Sequence, residues 1–195
     1  HENAEKVWNK VLEDGEEFGL MVIAPAHHRR IAAGILSWGQ DLDHETSPFQ
    51  VNLAYQVPRN KKSDYIGKAE LERQRDVIDS GEAPFKMKMV GITLGGKEIT
   101  DYAPDFWLVA DTDGNDMGYV TSPWWSPELE TNIALAWVPW SSSDVGTKLL
   151  VKLPDEYSVT PGEPVEGEVV DVPFRESVNP NKREVEAAKG KDFAE

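Results

Sequence analysis

The sequence contains no cysteine. That excludes disulfides, thiolate catalysis and Cys-ligated zinc or iron–sulfur centres, and it leaves the redox compartment unmarked. Histidine is scarce: His1, His27, His28 and His44. His27 and His28 are adjacent, so their rings diverge on a helix or strand, and no pair has the spacing of a helical metal site. No metal is expected, and surface or packing roles are. Positive charge is in deficit. Lys plus Arg number 20 against 35 Asp plus Glu, a net charge of −15. A nucleic-acid backbone or an anionic membrane would be repelled. No apolar run reaches the roughly 18 residues of a membrane span, and no secretory signal is visible. There is no Gly-rich phosphate loop and no GxSxG elbow. The expectation is a soluble, cytoplasmic protein. The chain opens at His1 without Met, which gives the expectation of a processed start or a piece of a longer chain.

What is present suffices for a core: 39% hydrophobic residues and seven Trp in 195 residues. Val7, Trp8, Val11 and Leu12 share one helix face, with Gly19 as its C-cap. Leu20 to Ile23 reads as a strand broken by Pro25. His28 to Trp38 reads as a second helix with Ile31, Ile35 and Trp38 on one face. Val51 to Val57 alternates like a strand. Lys68 to Asp79 reads as a third helix, with Leu71, Val77 and Ile78 on its apolar side and Ser80-Gly81 ending it.

From about residue 85 the rhythm changes. Short apolar runs lie at 87–94, 106–110, 118–121, 132–138, 148–153 and 165–172, separated by Gly, Pro and Asp. That is the pattern of a small antiparallel barrel or sandwich. Asp113-Gly114 is a hairpin turn. Asp111, Asp113, Asn115 and Asp116 cluster like a calcium loop, but Asp116 and Ser122 stand where such a loop needs Gly and Glu, so a plain turn is expected. Gly95-Gly96 is another turn. After Phe174 the chain is charged and poor in apolar residues.

Some side chains invite a functional reading. Arg59, Lys61 and Lys62 form a basic patch that is a solvated loop or a seat for an anionic tail. Asp41, Asp43, His44 and Glu45 crowd one loop, where turn and cap chemistry accounts for most Asp. Trp8, Trp107 and Trp137 fall in periodic segments and are expected in the core. Trp124 and Trp125 lie in a Pro-framed turn, Ser122-Pro123-Trp124-Trp125-Ser126-Pro127, as a docking surface or a ligand wall that would suit a flat ring or a cation. Trp38 stands beside the acidic loop and has the same two readings.

Together these segments resemble a known family. Arg30-Ile-Ala-Ala-Gly34, then Ser37-Trp38-Gly39-Gln40-Asp41-Leu42-Asp43, then Thr46-Ser47-Pro48 resembles the RLEAG…LYGxDxD…TP signature of the glycine-cleavage T-protein (aminomethyltransferase) family. Asp64-Tyr65-Ile66-Gly67-Lys68-Ala69-Glu70-Leu71 resembles its DFIGKxAL, and 118–127 its GxxTSxxxSP. Ala26 stands where most members have an Arg, which points to the dimethylsulfoniopropionate demethylase branch. Ala32 and Trp38 replace the usual Glu and Tyr.

The resemblance implies an α+β fold: residues 1–82 as the C-terminal portion of a ferredoxin-like folate-binding region, residues 83–175 as a small antiparallel β-barrel, and residues 176–195 as a charged tail. It implies a tetrahydrofolate-dependent methyltransferase or demethylase that moves a methyl group from a sulfonium or methylated amine to N5 of tetrahydrofolate. The alternatives are the aminomethyltransferase of glycine cleavage, or a non-catalytic folate-binding module. Arg30, Trp38, Trp124 and Trp125 are the expected cofactor-binding residues. Catalytic residues are expected mostly in an N-terminal half outside this sequence. Expected partners are a small-molecule methyl donor and that N-terminal half, as companion chain or missing segment; a homodimer is left open.

Overall fold

The computed structural model describes residues 2–24, 26–59 and 61–174. Pro25 and the charged tail at 176–195 lie outside them. In chain order the elements are α1 (Ala4–Gly15), α2 (His27–Ala32), α3 (Lys68–Asp79), then strands β1 (Met87–Leu94), β2 (Trp107–Ala110), β3 (Asp116–Ser126), β4 (Thr131–Pro139), β5 (Lys148–Val151) and β6 (Val165–Val170). The six strands close an antiparallel barrel in the order β1-β4-β3-β2-β5-β6. Among the described residues no helix is long and apolar enough to cross a membrane.

β4 shows why the barrel forms. Ala134, Ala136 and Val138 point into the barrel with Val90, Ile92, Val109, Val120 and Val151. Ile133, Leu135 and Trp137 point outward into a second cluster with Ile31, Ala32, Val51 and Met89. Side chains alternate along a strand, so an almost continuous apolar run is a strand buried on both faces. Burying an Ile, Leu or Trp contributes about 1.5–3 kcal/mol each. The outer cluster therefore binds α2 and the 51–53 segment to the barrel as one packed body. The chain crosses that face again at its described end, where Phe174 N–H donates to Ala32 O at 2.9 Å.

Four expectations fail before the barrel. The second helix stops at Ala32, because Gly34 takes φ 69° and turns the chain; Ile35 and Trp38 leave its face. Residues 51–57 are a turn and a 3-10 segment (Ala54–Gln56), not a strand. Asn52, at φ 61°, aims its side-chain amide at Met89 O, 3.0 Å away. Leu20 to Ile23 joins no strand among the described residues, and Trp8 is 53% exposed rather than core. Trp107 and Trp137 are buried as expected. α3 keeps its expected bounds but docks through polar residues. Ser47 Oγ donates to Gln74 Oε1 at 2.6 Å, and buried Arg75 donates to Val57 O and lies over the Phe49 ring.

Candidate functional site

The site sits on the outer face of β3, where α2 and the loop after it meet the barrel. Asp41 is its centre, 1% exposed. Oδ2 accepts from Arg30 Nη1 at 2.8 Å and from the Ser37 backbone N–H at 2.7 Å. Oδ1 accepts from the Thr121 and Ser122 hydroxyls, both at 2.6 Å. Trp137 Nε1 donates to the Asp41 carbonyl at 3.0 Å. Arg30 Nη2 donates to Ser122 Oγ at 2.8 Å, and Gln40 Nε2 to Thr121 O at 2.7 Å. A buried carboxylate needs this many donors to offset the loss of water.

Thr121 and Ser122 are consecutive, and alternation would send them to opposite faces. A β-bulge removes the conflict. The pairing passes from Val120↔Ala136 to Ser122↔Leu135, which leaves Thr121 as the extra residue. The bulge re-aims the strand so that both hydroxyls reach one carboxylate oxygen.

An aromatic face adjoins the clamp. His27 stacks on Trp124 at 5.1 Å between centroids, and Tyr102 meets His27 edge-on at 5.3 Å. His27 and Arg30 are three residues apart on α2 and share a face; they meet Trp124 and Ser122, two apart on β3. Burial, and then the Arg30 charge, push the His27 imidazole below its ordinary value, while Asp41 partly opposes them. At the other end of the face Phe106 stacks on Tyr119 at 5.3 Å.

The structure thus brings Arg30 and Trp124 together but separates the other two expected residues. Trp125 follows Trp124 in a regular strand, not a Pro-framed turn, and pairs with Asn132 while Trp124 pairs with Ile133. Adjacent strand residues face opposite ways, so the two rings line different surfaces. Trp38 is 69% exposed, at a turn closed by the Gly39 N–H to Leu42 O bond. The terminal nitrogens of Arg30 reach Asp41, Ser122, Gln40 Oε1 and Ile35 O, so its guanidinium is engaged within the chain. In the basic patch Arg59 pairs with Asp79, and Lys61 lies over the Tyr65 ring. Asp111 accepts from the Asp113 and Asn115 backbone N–H groups and closes the hairpin turn. His27, Thr121 and Ser122 are not among the expected cofactor-binding residues, and Asp41 stands in the sequence only as one acid of a crowded loop. The joint presence of Arg30 and Asp41 in the family-like motif was the one available signal.

Comparison with known proteins gives the barrel its likeness. Residues 87–175 match the family model of the glycine cleavage T-protein C-terminal barrel domain. The barrel matches that domain. The chain is 31% identical over 157 residues to the aminomethyltransferase of Synechococcus sp. (strain CC9902), covering 78% of this chain and 38% of that protein. It is 33% identical over 179 residues to the aminomethyltransferase of Thermotoga neapolitana, covering 89% and 42%. The crystal structure of glycine cleavage system aminomethyltransferase T from Bartonella henselae shares the fold, with a TM-score of 0.59, 24% identity, and 77% of this chain and 38% of that one covered. The chain spans about two fifths of the length of these relatives. A similarity that covers 89% of the chain must begin by about residue 22, so the likeness includes α2 and the Asp41 loop as well as the matched barrel.

Proposed function

We propose that the chain is the C-terminal part of a tetrahydrofolate-dependent one-carbon transferase of the aminomethyltransferase type. The observation that carries this is the length of the similarity, which runs through the matched barrel and the segment clamped to it. In this reading residues 1–82 complete a folate-binding region and residues 83–175 close over it. Tetrahydrofolate is the co-substrate that accepts the carbon unit. The chain's own residues hold the walls: the Arg30–Asp41–Ser122 clamp fixes α2 against β3, and the half-buried Trp124 and His27 rings offer a flat apolar surface beside it. Such a surface aligns a ring system and excludes water, which is the main requirement for transfer of an activated carbon.

The relatives' names support aminomethyl transfer over the sulfonium demethylation expected above. One residue favours the second reading: Ala26, extended and immediately before α2, replaces the Arg usual in the family. Product analysis separates them. The intact protein is incubated with tetrahydrofolate and either an aminomethyl or a sulfonium donor, and the folates are resolved by chromatography. Formation of 5,10-methylene-tetrahydrofolate is expected. Formation of 5-methyl-tetrahydrofolate instead would transfer the assignment to the demethylase reading. Folate binding without product would make the chain part of a binding module.

A further inference from the structure

Trp124, His27 and Tyr102 stand in a row with His27 in the middle. His27 stacks on Trp124 and meets Tyr102 edge-on, and among the described residues the flanking two make no ring contact with each other. Trp124 packs inward against the outer cluster. One of its faces is taken by His27, so His27 is the ring that a ligand would meet. The imidazole is half-buried, and neither of its nitrogens has a hydrogen-bond partner among the described residues. Burial, then the Arg30 charge, hold it neutral at neutral pH, so it keeps one donor and one acceptor unused. A flat, uncharged ring with free polar edges suits a planar heteroaromatic ligand.

Tyr102 already stands against that ring. It lies on the loop between β1 and β2, which is pinned on both sides of it. Ile99 is fully buried; its N–H donates to Asn132 Oδ1 at 3.0 Å, and its carbonyl accepts from the Trp125 N–H at 2.8 Å. Ala103 packs against the barrel interior, and Phe106 stacks on Tyr119. Tyr102 itself is 55% exposed and its hydroxyl has no partner among the described residues, so the contact with His27 alone places its ring. A rotamer change would turn the ring into solvent without breaking a hydrogen bond or moving the loop.

We propose that Tyr102 is a displaceable gate that occupies the place of a planar heteroaromatic ring on His27, and that the ligand ring binds by turning Tyr102 outward. This rests on the folate reading above and divides its ring-binding face into parts: His27 is the seat, Trp124 its backing and Tyr102 the gate. An internal ring contact competes with a ligand ring for the same surface. It raises the apparent Kd in proportion to the share of molecules in which the gate is closed. The two neighbours therefore act with opposite signs, which a merely structural role would not produce. The intact protein and its variants are titrated with tetrahydrofolate, with Trp fluorescence reading affinity and the His27 imidazole NMR signals reading place. Tyr102→Ala should bind about 3–10-fold more tightly, the span of an edge-on aromatic pair. His27→Ala should bind about 10-fold more weakly, through loss of a stacking partner. Tyr102→Phe should match the wild type, because the ring and not the hydroxyl makes the contact. Unchanged affinity in either Ala variant, shifts of the same sign in both, or binding that leaves the His27 signals unmoved would each overturn the inference and leave the folate reading standing. Absence of binding to the wild type and to every variant would overturn the folate reading, and this inference with it.

Discussion

Removing the Asp41 carboxylate leaves Arg30 without its ionic partner beside a packed barrel face. As a pair, Arg30 and Asp41 add little net stability, because desolvation offsets their attraction; breaking the pair is another matter, at about 3–5 kcal/mol. Asp41→Ala is expected to lose about that much in urea unfolding, and Ser122→Ala about 1–3 kcal/mol through its charge-assisted hydrogen bonds to Asp41 and Arg30. A loss under about 1 kcal/mol for Asp41→Ala would mean the clamp is dispensable. His27 supplies the pH dependence. Its folded value is depressed, so the folded state binds that proton less readily than the unfolded chain. Its contribution is present above about pH 6.5 and is lost as pH falls through the folded value. Trp124→Ala should expose the ring and move the NMR titration midpoint of His27 upward; no movement would show that the stack is not the source of the shift. Asp41 was legible only as one acid among several in a crowded loop. Sequence carries residue identity but not enclosure, and enclosure is what separates Asp41 from its exposed neighbour Asp43.

At the scale of elements, legibility followed burial. β1 and β4 were readable because both faces are covered and composition alone reveals that. Residues 51–57 misled because Val51 and Val57 are buried from a turn, and seven residues of alternation do not distinguish a turn packed on a core from a strand. The spacing predicts too long a second helix because Ile35 and Trp38 continue it past Gly34, where the backbone has already turned. The bulge in β3 left no trace, since it depends on how two strands pair and not on either alone. Gly118 shows what the barrel demands locally. A Cβ there would stand 2.1 Å from the Trp137 carbonyl oxygen, a backbone atom that cannot swing aside. Gly118→Ala should cost about 2–3 kcal/mol and lower Tm by about 5–10 °C. Gly114→Ala meets nothing within 4 Å and bears only the strain of φ 88°, about 1 kcal/mol. Equal losses for the two variants would show that β3 and β4 adjust freely at their closest approach.

For the whole molecule, net charge is the one property that sequence supplies without any knowledge of the fold, and it carries its own test. A charge of −15 confined to a folded volume repels itself more than it does in an expanded chain. Salt relieves that repulsion as the Debye length shrinks from about 30 Å at 0.01 M to about 10 Å at 0.1 M. Salt also weakens surface ion pairs such as Arg59–Asp79, Arg73–Glu70 and Lys152–Asp116, but exposed pairs of this kind contribute little and often nothing measurable. The buried Arg30–Asp41 pair is screened least, because Asp41 is out of reach of counterions. Relief of repulsion should therefore win, and Tm should rise as sodium chloride goes from 0.01 to 0.3 M at neutral pH. A falling Tm would mean that the exposed pairs together outweigh the repulsion, and Arg59→Ala would then remove the share carried by the one of these three that ties α3 to the segment before it.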